Sequence, residues 1–290
     1  MTAKFPVNNE IEFNKFLVRE YLKLGSVDEV FRYHHLDIPI SYAQYQRILD
    51  KWGIIKAAGP NSKLSEVVNF LAKMVHEDIP LDKLYKKMPP SFITSAVTLY
   101  RVLSYIKEGV TRRLGTGLII TPFNSQKMVL TGRDVSTPRS YYGKPFSSIS
   151  IPMGFSKINE KREDGILRIL QQEVFTELAI DRNLPLSLIP TRPKPFMYLD
   201  IADVRVEVFQ IKLPQKLSKL DNFQSYKLQD YEFLDLEKFG LVKDKKEFRA
   251  GVYEALTGYE KYLELKRKNV AFNPLQVKSE INYHFAQEVE

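Results

Sequence analysis

Cysteine is absent from this chain of 290 residues. Its absence excludes a disulfide framework, a thiolate nucleophile and a cysteine-ligated zinc site. No run of about 18 apolar residues occurs, which excludes a membrane-spanning helix, and the N-terminus lacks the apolar stretch of a signal peptide. From these absences we expect an intracellular protein, cytoplasmic or nucleoid-associated, that makes no membrane contact.

The chain also lacks the motifs of several enzyme classes. It contains no glycine-rich loop of the Gly-x4-Gly-Lys-Ser/Thr type, which excludes the usual phosphate cradle of nucleotide triphosphatases. It contains no Gly-x-Ser-x-Gly elbow, the motif of serine hydrolases. His34 and His35 are adjacent, so on a helix their rings point apart and cannot share a metal ion.

Positive charge and apolar side chains are plentiful. The 43 Lys and Arg residues outnumber the 35 Asp and Glu residues, which gives a formal charge of +8. This excess favours a polyanionic partner such as DNA, although ordinary solvated surfaces carry similar excesses. An apolar content of 44% is sufficient for a buried core, and the length suits about two domains.

Residues 1–111 have a helical pattern that repeats itself. Sliding the chain along itself places Phe16-Leu17 on Phe70-Leu71 and Arg47-Ile-Leu49 on Arg101-Val-Leu103. The apolar positions coincide, so both copies would bury the same helix faces. We therefore predict an all-α domain with tandem copies at about 12–55 and 64–110.

Each copy has the order helix, short helix, turn and third helix. In the first copy the helices are predicted over 12–24, 27–33 and 41–52, with Ser41 as the N-cap of the third. In the second copy they are predicted over 64–75, 81–87 and 94–107. This order is that of a helix-turn-helix DNA reader, whose third helix enters the major groove.

The third helix of each copy carries the predicted DNA contacts. In the first copy we expect Tyr45 on the exposed face as well. Glutamine and arginine are the residue types that form bidentate contacts with base edges. A protein-interaction or purely structural helical domain remains the alternative. The predicted nucleic-acid contacts are Gln44, Arg47, Lys51, Thr98 and Arg101.

The pattern changes after the glycine-rich joint at 109–117, and short β-type runs alternate with helical segments from there on. We predict a second domain over 112–268 and a C-terminal tail over 269–290. Strands are expected around 118–121, 127–131, 147–153, 196–201, 204–213 and 231–234, and helices over 162–178 and 247–268. The whole chain is thus predicted to be of the α+β class.

A glycine motif precedes a carboxylate-bearing helix in this second domain. Pro152-Met-Gly154 is followed by Gln172-Glu-Val-Phe-Thr-Glu-Leu-Ala-Ile180. The combination resembles the signature of the Nudix superfamily, which runs Gly, five residues, Glu, seven residues, Arg-Glu-apolar-x-Glu-Glu-x-Gly-apolar. The resemblance implies a mixed sheet sandwiched between helices and an Mg²⁺ or Mn²⁺ ion that assists cleavage of a diphosphate linked to another moiety.

The match is partial when it is carried over one residue at a time. Glu173 takes the place of the first helical carboxylate and Glu177 that of the last, whereas Thr176 replaces the middle one and Gln172 the arginine. With four extra residues accommodated, Asp164 becomes the loop carboxylate. The resemblance thus implies weak metal binding by Glu173, Glu177 and Asp164, with the two glutamates catalytic if the domain is active.

A second register keeps Gly154, Glu160 and Arg168 at the family spacing. It places Ile169 where a carboxylate is required and Phe175 where a glycine is required. We set this register aside because it sacrifices the metal-binding face.

A long polar loop, 132–146, lies between two predicted strands. Its Arg133 and Arg139 are expected to meet an anionic ligand, together with Gly154 at the start of the motif. The resemblance makes a nucleotide-type small molecule the expected ligand.

These observations favour a DNA-binding regulator in which an eroded Nudix domain binds a nucleotide-type ligand with little or no hydrolysis. One alternative is an Mg²⁺- or Mn²⁺-dependent Nudix pyrophosphohydrolase. The other is a non-catalytic scaffold in a nucleoprotein assembly. The sequence leaves homo-oligomerisation open.

Overall fold

The computed structural model describes residues 5–56, 101, 104–105, 108–111, 113–135, 147–271 and 273–280. Most of the second helical copy, including Thr98, lies outside these residues, and so does Arg139. Within the described parts of the chain, no helix is long and apolar enough to cross a membrane.

Three helices form the N-terminal unit: α1 (Glu10–Leu24), α2 (Val27–Tyr33) and α3 (Tyr42–Lys51). Each begins at a side chain that accepts hydrogen bonds from the first turn, as expected for Asn or Ser at the N-cap. For α3 the cap is reciprocal, because Ser41 accepts from the backbone of Gln44 and the Gln44 side chain accepts from the backbone of Ser41. The local sequence therefore determines where these helices start.

The core of the three-helix unit includes a tyrosine of α3. Leu17, Val30, Tyr45 and Leu49 have no exposed surface. The Tyr45 hydroxyl donates a hydrogen bond to the carbonyl oxygen of Leu17 at 2.5 Å. The prediction that Tyr45 faces solvent was therefore wrong, because its ring packs between the helices and its only polar atom is satisfied there.

The rest of the described chain forms two sheets. Their strands are β1 (Arg113–Thr121), β2 (Met128–Asp134), β3 (Ser148–Ser150), β4 (Met153–Phe155), β5 (Met197–Ile201), β6 (Val204–Lys212), β7 (Leu228–Asp235) and β8 (Leu275–Lys278). The five-stranded sheet has the order β4-β1-β6-β5-β8, and the three-stranded sheet the order β3-β2-β7. The larger sheet is mixed, since β1 and β6 are parallel, as are β5 and β8, whereas its other neighbours are antiparallel.

The helices of this domain are α4 (Arg162–Glu173), α5 (Thr176–Ile180), α6 (Phe239–Val242) and α7 (Val252–Arg267). Alternate residues of β1 belong to different cores: Leu118 and Ile120 pack with α4, whereas Ile119 packs with α7. Successive side chains of a strand point to opposite faces, so α4 and α7 cover opposite faces of the mixed sheet. The predicted α+β class, with a mixed sheet between helices, is confirmed.

Several element boundaries differ from the prediction. The helix predicted over 162–178 stops at Glu173, because Val174 and Phe175 leave helical geometry and Phe175 forms a β-bridge with Gln224. A new short helix, α5, then begins. In the predicted tail, β8 pairs with β5, so the sheet extends past residue 268.

Candidate functional site at the fourth helix

An arginine and a glutamate form a buried pair beside α4. The Arg168 guanidinium donates two hydrogen bonds to the Glu160 carboxylate, from Nε to Oε1 and from Nη2 to Oε2, both at 2.8 Å. The exposed fractions of the two side chains are only 2% and 4%. Bidentate geometry of this kind is the strongest arrangement available to an arginine and a carboxylate.

Gly154 of β4 lies against this pair and against the end of α4. A Cβ atom at Gly154 would lie 3.2 Å from Ile169 Cδ1, 3.5 Å from Arg168 Nη1 and 3.8 Å from Glu173 Oε1. The next residue back, Met153, donates its backbone N–H to Glu173 Oε2 at 2.8 Å. The glycine therefore lets the strand approach the polar side chains of the helix closely.

The structure favours the register that the sequence argument set aside. Gly154, Glu160 and Arg168, the residues at family spacing in that register, lie together. In that register Ile169 and Gln172 take two of the three places of the family's helical carboxylates, and only Glu173 is acidic. The register chosen from the sequence keeps the carboxylates at family positions, whereas the fold brings Arg168 and Glu160 together.

Glu173 and Glu177 do not share a helical face. The chain leaves helical geometry between them, so the spacing argument for a shared face is wrong. Glu173 is buried and faces β4, whereas Glu177 is 40% exposed and its carboxylate lies 3.6 Å from Arg19 Nη2 of α1. The two carboxylates therefore meet different partners.

Asp164 lies at the opposite end of α4 from Glu173. The two residues occupy the first and last turns of the helix, and nine residues at 1.5 Å per residue separate them by about 13 Å along the axis. A single ion bound at about 2.1 Å from each ligand cannot bridge that separation. Across the described residues, no group of three or more histidine or acidic side chains could hold a metal ion.

Lys227, the residue directly before β7, contacts the end of α4. Lys227 Nζ donates a hydrogen bond to Gln172 Oε1 at 2.8 Å and lies 3.8 Å from Glu173 Oε1. Its side chain is 27% exposed, whereas that of Glu173 is 6% exposed. Asp134 of β2 pairs across the sheet with Leu228, the residue after Lys227. The backbone N–H of Val135 donates to the Lys227 carbonyl oxygen.

Lys227, Gln172 and Glu173 form a cluster at the end of α4, and charges of both signs act on it. Burial lowers the pKa of Lys227 below its ordinary value, and nearby Arg168 and Arg249 lower it further. The carboxylates of Glu173 and Asp134 act in the opposite direction and favour the charged ammonium. The cluster thus pairs buried acids with cations supplied by the chain itself.

These donor atoms do not fit the divalent ion that the resemblance implies. Ile169 offers no oxygen, and the Gln172 amide is bonded to Lys227. Both oxygens of Glu173 have partners, the Met153 N–H and the Lys227 amine. A hard cation such as Mg²⁺ requires several oxygen ligands in octahedral geometry, and the cluster does not offer them to an added ion.

Of the arginines predicted to meet a ligand, Arg133 is partly buried on β2. Its Nη1 donates to the Ser147 carbonyl oxygen at 3.2 Å and lies 3.9 Å from Glu247 Oε2. Arg249 Nη1 lies 3.4 Å from Asp134 Oδ2 nearby. Both arginines thus lie close to acidic side chains of the chain itself.

The chain that follows α3 is bonded directly to α4. Gln171 Nε2 donates to the Gly53 carbonyl oxygen at 2.8 Å, and Gln171 Oε1 accepts from the Ile55 backbone N–H at 2.9 Å. Gln172 Nε2 donates to the Ile55 carbonyl oxygen at 3.4 Å. Gln172 therefore connects the end of the three-helix unit to Lys227.

Further contacts fix the three-helix unit against α5. Trp52 Nε1 donates to the Ile180 carbonyl oxygen at 2.8 Å, and Lys15 Nζ lies 2.7 Å from Asp181 Oδ1. Ala179 and Ile180 are part of the same apolar cluster as the core of the three helices. The N-terminal unit thus packs on the helices of the candidate site.

Three residues of α3 predicted to contact DNA are exposed. Arg47 and Lys51 lie one turn apart on the same face, and Lys51 Nζ is 3.9 Å from Glu10 Oε1. The Gln44 side chain accepts hydrogen bonds from Ser41, so it serves the helix cap. Arg101 is helical and exposed.

Lys227 and Gln171 were not predicted from the sequence. Both act across long sequence separations, on Gln172 and on the chain after α3, and no local pattern marks them. The two adjacent glutamines on the predicted helix could have indicated a contact there, because a buried amide requires hydrogen-bond partners.

No family model matches the chain, and neither does any curated protein. Among solved structures, the chain is similar to the MutT protein of Methanosarcina mazei Go1, with 13% identity and a TM-score of 0.36 over 55% of this chain and 96% of that one. It is also similar to a NUDIX hydrolase of Nitrosomonas europaea, with 14% identity and a TM-score of 0.38 over 58% and 80%. A third is the NUDIX domain of Shewanella oneidensis NrtR complexed with ADP ribose, with 11% identity and a TM-score of 0.35 over 63% and 97%. Likenesses this distant do not place the chain in the family.

Proposed function

We propose that this protein is a DNA-binding regulator whose α/β domain binds a nucleotide-type ligand with little or no hydrolysis. The observation that carries the proposal is the hydrogen-bonded contact between the chain directly after α3 and the two glutamines of α4. It joins the candidate DNA-reading helix to the candidate ligand-binding helix without any intervening element.

The exposed face of α3 supports the DNA-binding half. Arg47 and Lys51 present two cations on one side of the third helix of a three-helix unit, the position that enters the major groove in helix-turn-helix proteins. Lysine and arginine contacts to phosphates give an affinity that falls steeply with salt concentration.

The pairing of the Glu173 carboxylate within the protein supports the proposal that the ligand is bound with little or no hydrolysis. Glu173 is the only acidic residue at the three helical positions of the family register, and its carboxylate is bonded within the protein. A metal-dependent hydrolase needs a cation that activates water and neutralises phosphate charge. This cluster holds no vacant set of oxygens for that task.

The link between the two halves suggests how a ligand would act. An anionic group that attracts Lys227 competes with Gln172 for the lysine, and Gln172 also donates to Ile55 after α3. Binding that changes the Gln172 side chain therefore changes the support of α3. A ligand shifts the DNA affinity only by the difference of its own affinities for the two states.

DNA binding is tested by fluorescence anisotropy on duplexes selected from a random pool, over a series of salt concentrations. The Arg47→Ala/Lys51→Ala variant is expected to bind more weakly and to lower the magnitude of the log K against log salt slope by about 2. Lys261→Ala/Lys268→Ala removes two exposed positive charges, one on α7 and one directly after it, and serves as the control. Equal binding by both variants would contradict the proposal.

The ligand half is tested by calorimetric titration with ADP-ribose and with diadenosine tetraphosphate, followed by product analysis in the presence of Mg²⁺ or Mn²⁺. We expect binding of at least one compound without turnover. Turnover that disappears in Glu173→Gln would instead establish the hydrolase alternative. If the protein binds neither a ligand nor DNA, the alternative of a non-catalytic scaffold remains.

A further inference from the structure

The amine of Lys227 lies among oxygen atoms at the end of α4. The Gln172 amide oxygen is 2.8 Å away and a Glu173 carboxylate oxygen is 3.8 Å away. Amide and carboxylate oxygens are the ligands that Mg²⁺ and Mn²⁺ prefer.

We propose that the Lys227 side chain takes the position of a divalent cation in this cluster, so that the buried Glu173 carboxylate is compensated without a metal ion. Glu173 is almost fully buried, and an uncompensated carboxylate at such a place carries a large desolvation cost. The lysine offsets that cost from within the chain. The position of the amine stands on the geometry alone and needs neither ligand nor DNA binding.

The chain around Lys227 is built to hold it. Its backbone N–H donates to Ser225 Oγ at 2.9 Å, and Ser225 Oγ in turn donates to the Gln172 carbonyl oxygen at 2.8 Å. Tyr231 donates its hydroxyl to the Glu173 carbonyl oxygen at 2.7 Å. These bonds tie the segment before β7 to the last turn of α4, so the lysine is fixed at the helix end.

Removing the Lys227 amine changes what the oxygens at the end of α4 can bind. Lys227→Ala leaves the Gln172 amide oxygen and Glu173 Oε1 beside a vacated position that solvent can reach, since the lysine is partly exposed. These two oxygens, together with water, are then available to a hard cation. Removing the lysine should therefore create cation dependence that the natural chain lacks.

The test is Mn²⁺ binding to the full-length protein, measured by electron paramagnetic resonance and by thermal unfolding with Mn²⁺ or with EDTA. We expect Lys227→Ala to bind Mn²⁺ at least about tenfold more tightly than the natural chain, a difference of about 1.4 kcal/mol, and Mn²⁺ to raise its melting temperature. Lys227→Ala/Glu173→Gln should lose this gain. Lys243→Ala is the matched control, because Lys243 is also partly buried and lies 3.9 Å from a carboxylate, that of Glu232.

The natural chain decides the question even if the variant does not fold. Stoichiometric Mn²⁺ binding by the natural protein that disappears in Glu173→Gln would overturn the proposal. A folded Lys227→Ala variant that gains no Mn²⁺ affinity over Lys243→Ala would also overturn it. Folding of Lys227→Ala only when Mn²⁺ is present would support it.

Discussion

The amide of Gln171 forms hydrogen bonds on both of its sides with the chain that leaves α3, and Ile55 is the donor on one side, at 2.9 Å. On the other side the amide donates to the Gly53 carbonyl oxygen. Gln171 is 5% exposed, so water cannot easily replace these bonds. One side chain thus anchors the end of the candidate DNA-reading helix to the α/β domain.

Gln171→Leu should therefore loosen the three-helix unit. The substitution leaves the Ile55 N–H and the Gly53 carbonyl without their partner, at a cost of about 1–3 kcal/mol in the free energy of unfolding. Urea unfolding measures the cost, and hydrogen exchange should show faster exchange in α3. Gln215→Leu, at an exposed position, is the control and should change neither quantity. Equal stability of the two variants would contradict the anchoring role.

The buried pair of Arg168 and Glu160 gives a second prediction. Arg168→Met leaves the Glu160 carboxylate buried without its bidentate partner, which should cost about 3–5 kcal/mol. Arg162→Met on the same helix is a matched control, because Arg162 forms a similar bidentate pair with Glu207 but is 42% exposed. That exposed pair should contribute less than about 1 kcal/mol.

The double variant Arg168→Met/Glu160→Met separates charge burial from packing. Replacing both partners by apolar side chains removes the uncompensated carboxylate, so the double variant should be more stable than Arg168→Met alone. Denaturant unfolding of the natural protein, Arg168→Met, Glu160→Met and the double variant measures this coupling. A double variant no more stable than the single one would mean that Glu160 is not the source of the cost.

Sequence patterns predicted the three N-terminal helices closely, because their starts depend on nearby side chains. Ser41 caps α3 through Gln44, only three residues on. The end of α4 could not be predicted in the same way. Phe175 pairs with Gln224, and Thr176 donates its backbone N–H to the Gln224 carbonyl oxygen, so a distant segment ends the helix.

Some residues of the candidate site were named from the sequence and others were overlooked. The glycine motif and Glu173 were identified, whereas the register argument discarded Arg168 because it favoured a set of carboxylates. The partner of Arg168 lies only eight residues earlier in the chain, so helical and loop geometry could have suggested the pair. The contacts of Lys227 depend on the segment before β7 meeting α4, which only the fold reveals.

Tyr45 provides a third prediction and tests the burial that the sequence pattern missed. Tyr45→Phe removes a hydroxyl that donates to Leu17 inside the three-helix core. The Leu17 carbonyl then loses a buried partner, so the free energy of unfolding should fall by about 1–2 kcal/mol. Tyr42→Phe is the control, because Tyr42 lies on the exposed side of the same helix. If Tyr45→Phe is as stable as Tyr42→Phe, the hydroxyl is not satisfied in the core.

A glutamate on α7 gives a prediction that depends on pH. Burial raises the pKa of Glu260 above its ordinary value of 4.5, and the charge of Glu264 one turn later raises it further. Between the pKa of Glu260 in the unfolded chain and its higher pKa in the folded protein, the folded protein holds a proton that the unfolded chain has released. Stability therefore falls as the pH rises through this range. Above the folded pKa the full penalty is present, and below 4.5 it is absent.

Glu260→Gln removes that penalty and should make the protein more stable at neutral pH, by less than about 1 kcal/mol because solvent screens this partly exposed group. Below pH 4.5 the variant and the natural protein should have equal stability. Urea unfolding over this pH range measures the difference. Glu254→Gln is the contrasting change, since its carboxylate accepts from the Glu280 backbone and lies 3.9 Å from Lys245, so its loss should destabilise. A stability difference for Glu260→Gln that is the same at every pH would show that its carboxyl group is not the cause.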